Sequence, residues 1–165
     1  MEQVRFRQAS RSDVVDVLTI KRAAIEAVDT DGYTQRQLDA WKPDTDALPA
    51  FERAIESDRF TIVLAELEGE PAGYGVLNHE TNRIDALFVH PDFEGTGIGS
   101  SLLGQLEMRA QMHDIPELKV VASLNATSFY RSRGYWPFGT ETRTIAGVDV
   151  EFTILRKTLD FDWSQ

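Results

Sequence analysis

The chain has 165 residues, of which 42% are hydrophobic, and this size predicts one globular domain, residues 1–165, with a core of its own. The formal charge of -10 excludes the basic surface that nucleic-acid binding needs. The absence of cysteine excludes disulfides, thiolate metal sites and a cysteine nucleophile.

The excess of acidic residues has two interpretations. It keeps the protein soluble without any specific partner, or it suits a cationic small-molecule amine or a basic peptide. The N-terminal residues form no apolar signal segment, and no run of the chain approaches membrane-spanning length. We therefore expect a cytoplasmic protein with no membrane partner.

The first elements are a strand and a long helix. Residues 4–8 alternate as a strand, and Ser10 with Asp13 has the pattern of a capping box before an amphipathic helix that reaches Ile25. Thr34 and Gln37 repeat the capping pattern before a second, short helix.

A third helix is predicted over residues 44–57, followed by an antiparallel hairpin made of residues 61–66 and 72–78. Residues 83–89 are nearly continuously apolar, which predicts a strand buried on both faces.

The next helix carries apolar residues at helical spacing from Ile98 to Ala110, and we expect Gly104 to mark close packing in it. This helix connects the strand predicted at residues 83–89 to a strand predicted at residues 118–122, and this order predicts a right-handed parallel crossover.

A short helix and a hairpin end the predicted fold. Asn125 is expected to cap a helix that ends at Gly134, and residues 139–145 pair with residues 148–159. This order of elements predicts an α/β (α+β) fold with a mixed, mostly antiparallel sheet that is flanked by helices.

The turn before the helix at Ile98 carries the first chemical signal. Its glycines at positions 95, 97 and 99 allow successive backbone N–H groups to converge on an anion at the positive end of a helix. No Gly-Lys-Ser/Thr follows, and Ser100 stands where a dinucleotide-binding turn needs its third glycine. The spacing favours a pyrophosphate ligand other than ATP or NAD, with a tight turn that binds nothing as the alternative.

A second motif, Ser-Leu-Asn-Ala-Thr-Ser-Phe-Tyr-Arg-Ser-Arg-Gly-Tyr, spans residues 123–135. Together with residues 87–103 it resembles the two signature motifs of the GNAT superfamily of acyl-CoA-dependent N-acyltransferases. The resemblance implies a splayed pair of parallel strands, acetyl-CoA as co-substrate, and acetyl transfer to a primary amine by direct attack in a ternary complex. A CoA-binding sensor or regulatory domain without activity is the alternative.

The family pattern of Gln or Arg, two residues, Gly, one residue, then Gly or Ala falls on Glu94, Gly97 and Gly99. Glu94 departs from this pattern, and we expect its carboxylate to point outward while backbone N–H groups bind the pyrophosphate. Backbone groups of residues 87–89 are expected to pair with the pantetheine amides and to polarise the thioester carbonyl. The expected cofactor-binding residues are Leu87, Phe88, Val89, Glu94, Gly95, Thr96, Gly97, Ile98, Gly99, Ser100, Asn125 and Tyr130.

The resemblance also assigns catalytic roles. Tyr130 matches the tyrosine that protonates the departing CoA thiolate, and an ordinary phenol pKa of about 10 is close to the thiol value of about 8.5. Packing of Tyr130 in the core is the alternative. Asp85 is the first candidate for the general base, followed by Glu80 and His79.

Substrate contacts are expected from the helical region near Tyr33 and Trp41, whose rings suit a cationic amine or ordinary packing on the sheet. The three histidines have no metal-ligand spacing, so no metal site is expected. The C-terminal hairpin is a candidate surface for a homodimer.

Overall fold

A seven-stranded sheet organises the protein, and its strands lie in the order β1-β2-β3-β4-β5-β7-β6. The structure, a computed structural model, describes residues 3–159. Neighbouring strands are antiparallel except for the parallel pair β4 and β5, which confirms the predicted fold class. The strands are β1 (Val4–Gln8), β2 (Phe60–Leu67), β3 (Glu70–Asn78), β4 (Arg83–Val89), β5 (Glu117–Ser123), β6 (Trp136–Ile145) and β7 (Val148–Thr158).

Helices cover both faces of the sheet. They are α1 (Val14–Glu26), α2 (Gln35–Trp41), α3 (Leu48–Glu56), α4 (Ile98–Met112) and α5 (Thr127–Arg131). The first three pack on one face and the last two on the other. Within residues 3–159, none of the helices has the length and apolar character to cross a membrane.

The third helix differs from its predicted bounds. The segment predicted as one helix over residues 44–57 divides into a 3₁₀ turn, Thr45–Ala47, and the α-helix α3. Pro49 lies in the first turn of α3, where its missing N–H breaks no helical hydrogen bond. The α-helix therefore begins immediately before the proline.

The close approach of α4 to the sheet depends on glycines of β3. A Cβ on Gly75 would lie 2.7 Å from Cδ1 and 3.2 Å from Cγ of Leu106, so any larger residue would force the Leu106 side chain to shift. The expectation that Gly104 marks close packing is wrong, because nothing lies within 4 Å of a Cβ placed there. The space that α4 requires is therefore made by the strand beneath it.

The strands β4 and β5 part soon after they meet. They pair only at Arg83 with Lys119 and at Ile84 with Val120, whereas β4 stays paired with β3 as far as Val89. The expectation that β4 is buried on both faces is wrong, since Ile84 is buried and the strand's other residues are half-buried. β4 is only half-buried because its parallel neighbour β5 diverges from it.

A bulge interrupts β4 at the same place. Val76 of β3 is opposite Ala86 and Leu77 is opposite Ile84, so Asp85 has no partner on β3. A bulge of this kind bends a strand and changes the direction of a side chain. It lies where the two parallel strands begin to separate.

A buried ion pair ties the start of α1 to the sheet. The predicted capping box of Ser10 and Asp13 forms, and the Asp13 carboxylate accepts a 2.7 Å hydrogen bond from the Ser10 N–H. The same carboxylate accepts two hydrogen bonds of 2.8 Å from the Arg7 guanidinium, which also donates to Glu66. The Arg7 contact lowers the pKa of Asp13 to about 2.

We expect Asp13→Asn to lower the free energy of unfolding by about 2 kcal/mol at neutral pH. The pKa of Asp13 is below its ordinary value of 3.8, so the stabilisation is complete above that value and is lost as the pH falls towards about 2. Urea unfolding near pH 7 and near pH 3 measures the effect. Asp16→Asn, at an exposed position of the same helix, is the control and should change stability little at either pH; an equal loss in both variants would contradict the argument.

Candidate active site

Two cavities adjoin each other in the cleft where β4 and β5 part. The first, about 210 Å³, is lined by Lys21, Asp85 and Arg143 among others, and we call it the Lys21 cavity. The second, about 260 Å³, reaches Glu94 and Gly99, and we call it the Gly99 cavity. The two have a common wall, formed by Trp41, Leu87, Phe88, Ser123, Ala126 and Tyr130.

The glycine turn, predicted to be an anion cradle, lies beside the Gly99 cavity. Gly95 and Gly97 have φ angles of 78° and 83°, and Gly97 is the N-cap residue of α4. The first helical bond runs from the Ser101 N–H to the Gly97 carbonyl. Within residues 3–159 no group accepts a hydrogen bond from the N–H groups of residues 95–100. The turn therefore presents consecutive free donors at the positive end of a long helix, as phosphate binding requires.

Two charged side chains border this cradle. Glu94 is exposed and lies on the rim of the Gly99 cavity. The guanidinium of Arg133 donates to the Ser100 hydroxyl and lies 4.0 Å from the centroid of the Phe129 ring. Sequence reasoning missed Arg133, although a basic residue directly before Gly134 in the second motif was an available signal. Arg133 adds a positive charge beside the first turn of α4.

The residues expected to contact pantetheine lie along the open side of β4. Leu87, Phe88 and Val89 all line the Gly99 cavity. Because β5 pairs only as far as Ile84, the backbone of residues 85–89 has no strand neighbour on that side. A free strand edge of this kind can bind an extended ligand through main-chain hydrogen bonds.

Tyr130 lies where the two cavities meet. Only 4% of its surface is exposed, yet it lines both cavities. Its ring packs against Phe129 and Tyr135, at centroid distances of 5.1 Å and 5.6 Å. Burial raises the pKa of Tyr130 above its ordinary value, so the phenol keeps its proton at neutral pH and can donate it.

The candidates for a general base are separated by the fold. Asp85 lines the Lys21 cavity and accepts hydrogen bonds from Arg83 at 2.5 Å and from Asn78 at 3.0 Å. Glu80 is paired with Arg59 instead.

His79 lies outside both cavities, as Glu80 does. It bonds to Thr61 and stacks on His113 with ring centroids 4.2 Å apart. Burial lowers the pKa of His79. Of the three candidates, only Asp85 is placed beside the cleft.

The two aromatic residues expected at the acceptor site occupy different positions. Trp41 lines both cavities and packs against Phe88 and Phe152, at centroid distances of 6.0 Å and 5.4 Å. Tyr33 lines neither cavity and lies behind Trp41. Its hydroxyl donates to the Glu151 carbonyl at 2.6 Å and accepts from the Leu124 N–H at 3.0 Å. Tyr33 thus holds the loop before α2 against β7.

Asn125 does not cap a helix, so that expectation is wrong. It lies inside a 3₁₀ turn, Leu124–Ala126, and Ala126 is the N-cap residue of α5. Asn125 lines the Gly99 cavity, where its amide is available to a ligand. In the part of the chain that the structure describes, no three His, Asp or Glu side chains converge as metal ligands would.

Comparison with known proteins identifies this arrangement. Residues 29–151, well over half of the chain, match the family described as Acetyltransferase (GNAT) domain. The chain belongs to the GNAT family. A GCN5-related N-acetyltransferase from Rhodopseudomonas palustris has a similar structure, with 31% identity and a TM-score of 0.85 over 94% of this chain and 95% of that one.

Two further GNAT relatives are more distant. The PaiA N-acetyltransferase from Thermoplasma acidophilum, solved in complex with coenzyme A, has the same fold, with 17% identity and a TM-score of 0.76 over 94% of this chain and 99% of that one. An uncharacterized N-acetyltransferase from Methanocaldococcus jannaschii is 26% identical over 142 residues, 79% of this chain. The chain spans 59% of the length of that relative.

We expect Tyr33→Phe to lower the free energy of unfolding by about 2 kcal/mol, because the carbonyl of Glu151 and the N–H of Leu124 both lose their partner in a part-buried contact. Tyr74→Phe is the matched control. The Tyr74 hydroxyl is buried with no hydrogen-bond partner in the described part of the chain, so its removal should leave stability unchanged or raise it. Urea unfolding measures the free energy of unfolding of both variants, and an equal loss of stability in the two would contradict this role for Tyr33.

Proposed function

We propose that this GNAT protein transfers the acetyl group of acetyl-CoA to a primary amine by direct attack, with both substrates bound at once. One observation carries the proposal: the two cavities meet at Trp41 and Tyr130. A donor in the Gly99 cavity and an acceptor in the Lys21 cavity would therefore approach each other without a carrier residue of the protein. Holding two reactants in this way removes much of the entropic barrier to their reaction.

The Gly99 cavity fits the donor. The free N–H groups of residues 95–100 suit the pyrophosphate, and the open edge of β4 suits the pantetheine amides. The bound coenzyme A of the Thermoplasma acidophilum protein, which shares the fold, supports the same assignment. The exposed Glu94 at the rim would repel the phosphates weakly, because solvent screens its charge.

The chemical step requires the amine nitrogen to attack the thioester carbonyl carbon, after which the carbon–sulfur bond breaks. A main-chain N–H on the free edge of residues 87–89 stabilises the negative charge that develops on the carbonyl oxygen. Tyr130 donates its phenolic proton to the departing sulfur. Its buried position keeps the phenol neutral until the thiolate forms.

The attacking amine must first lose a proton, and we assign Asp85 as the base that accepts it. Among the described side chains that line the Lys21 cavity, Asp85 is the one carboxylate. It lies at the bulge of β4, and its hydrogen bonds to Arg83 and Asn78 restrict its position. A positioned carboxylate can take the proton directly or through one water molecule.

Calorimetric titration with acetyl-CoA, followed by a thiol-release assay over a panel of amines, tests the function. Binding together with amine-dependent release of CoA supports the enzyme. Tight binding with no release on any amine would favour the alternative, a CoA-binding sensor domain. Failure to bind acetyl-CoA would overturn both.

The acceptor class and the oligomeric state stay predictions. A small amine or a protein amino group would suit the reaction. β6 is an edge strand that exposes Trp136 and Phe138, which supports a homodimer through the C-terminal hairpin.

We expect Tyr130→Phe to lower kcat by about a hundredfold or more, since general acid catalysis is lost, while the affinity for acetyl-CoA stays the same. Tyr135→Phe is the matched control, because its ring touches Tyr130 but its hydroxyl donates to Glu107 instead. This control should keep kcat. An unchanged kcat in Tyr130→Phe would remove the acid role.

We expect Asp85→Asn to lower kcat/KM by about a hundredfold near neutral pH. The loss should shrink as the pH rises, because a larger fraction of the amine is then already deprotonated. The control is Glu80→Gln, which also removes a carboxylate paired with an arginine but lies outside the cavities. A pH profile of the Asp85→Asn variant that runs parallel to that of the unmodified protein would contradict the base role.

A further inference from the structure

The Lys21 cavity contains a cation for which the described residues provide no acceptor. Lys21 lies on α1 and is half-buried. Its Nζ atom lies 5.7 Å from the Phe51 ring centroid and 5.8 Å from the Phe88 ring centroid. Within residues 3–159 no carboxylate lies within 4.0 Å of Nζ, and no group accepts a hydrogen bond from it. Aromatic rings compensate only part of the free energy that such a charge loses on leaving water.

A second cation lines the same cavity. Arg143 of β6 packs on Phe152, with 5.6 Å from the guanidinium carbon to the ring centroid, and its Nε donates to Glu141 at 2.6 Å. Arg143 is close enough to Lys21 for its charge to reinforce the effect of burial, and both lower the pKa of Lys21.

Within the described residues, the cavity wall offers no free negative charge to balance Lys21, whereas Arg143 is already paired with Glu141 at 2.6 Å. Asp85, its one carboxylate among the described residues, is already paired with Arg83 at 2.5 Å. The cleft therefore has a local positive charge although the chain as a whole has a formal charge of -10. A charge in a partly desolvated cavity acts more strongly on a bound ligand than exposed charges elsewhere do.

We infer that the acceptor amine also carries a carboxylate, which Lys21 binds with the help of Arg143. The rings of Trp41, Phe88 and Phe152 form an aromatic part of the wall, against which an apolar or aromatic side chain of the acceptor would pack. An amino acid with such a side chain meets both requirements. This inference rests on the proposed acetyl transfer, and it favours an acceptor with a negative group over the basic peptide that the acidic composition would also suit.

The first test compares acceptors that share a side chain and differ in the carboxylate, with each kcat/KM expressed per free, unprotonated amine because the pKa of the amine also differs among them. Phenylalanine, phenylalaninamide and phenethylamine form one such series, and leucine, leucinamide and isopentylamine form another. We expect kcat/KM for the amino acid to exceed that for its amide by about tenfold or more, as a charge-assisted hydrogen bond would give. Equal rates across each series, or faster transfer to the uncharged or decarboxylated members, would overturn the inference.

The second test changes the cation. Lys21→Met keeps an unbranched apolar side chain against Phe51 and Phe88 and removes only the charge. We expect the preference for the carboxylate to fall to about twofold or less, through a higher KM for the amino acid with little change for the amide. An equal loss of kcat on all acceptors would assign Lys21 to proton transfer and would overturn carboxylate binding.

Arg22→Met is the matched control, because it removes the same charge from the adjacent position of the same helix. Arg22 is exposed and already bonded to Glu26 and to the Pro43 carbonyl. It lies outside both cavities, so this variant should keep the full preference for the carboxylate. A preference lost equally in the two variants would mean that net charge, and not a bound carboxylate, is responsible.

A binding measurement separates this inference from the proposed function. Calorimetry with phenylalanine and phenylalaninamide, on protein with and without CoA, needs no turnover. Tighter binding of phenylalanine that Lys21→Met abolishes would support the carboxylate site even if no acetyl transfer occurred. No preference in binding would overturn it even if the enzyme acetylated other amines.

Discussion

The parting of β4 and β5 is the constraint on which the rest of the cleft depends. After the pair of Ile84 with Val120 the two strands no longer bond, and backbone donors and acceptors inside a sheet are left without partners. Such groups must find a partner in water or a ligand. The bulge at Asp85 lies where the strands separate, and the cradle of α4 follows directly from the free end of β4. One break in the sheet thus creates the open edge and aligns it with the anion site.

Three tyrosines near this break show how surroundings decide the role of a side chain. The hydroxyl of Tyr33 forms hydrogen bonds with two backbone groups and so holds the loop before α2 in place. The hydroxyl of Tyr135 donates a hydrogen bond to Glu107. Tyr130 alone of the three lines the cleft. Burial raises the pKa of all three phenols, so the cavity in front of Tyr130, and not its pKa, places this residue to donate a proton.

Periodicity and spacing predicted most of the elements correctly, because they report local physics. The capping residues of α1 and α2 and the glycine turn depend on neighbours within a few positions. The same locality explains the errors. Asn125 is a residue type that often caps helices, yet the N-cap of α5 is Ala126, one residue later. The apolar sequence of β4 is typical of a buried strand, yet β4 is half-buried because β5 diverges from it.

The sequence by itself determined the family, and it predicted the anion cradle and the acid role of Tyr130, since each depends on a short contiguous motif. Only the tertiary structure decided that Trp41 and not Tyr33 lines the cleft, and that Lys21 and Arg143 meet there. Those two cations come from α1 and β6, elements far apart in the chain. Composition reports the total charge of the surface, whereas the charge that a substrate meets depends on which distant side chains the fold brings together.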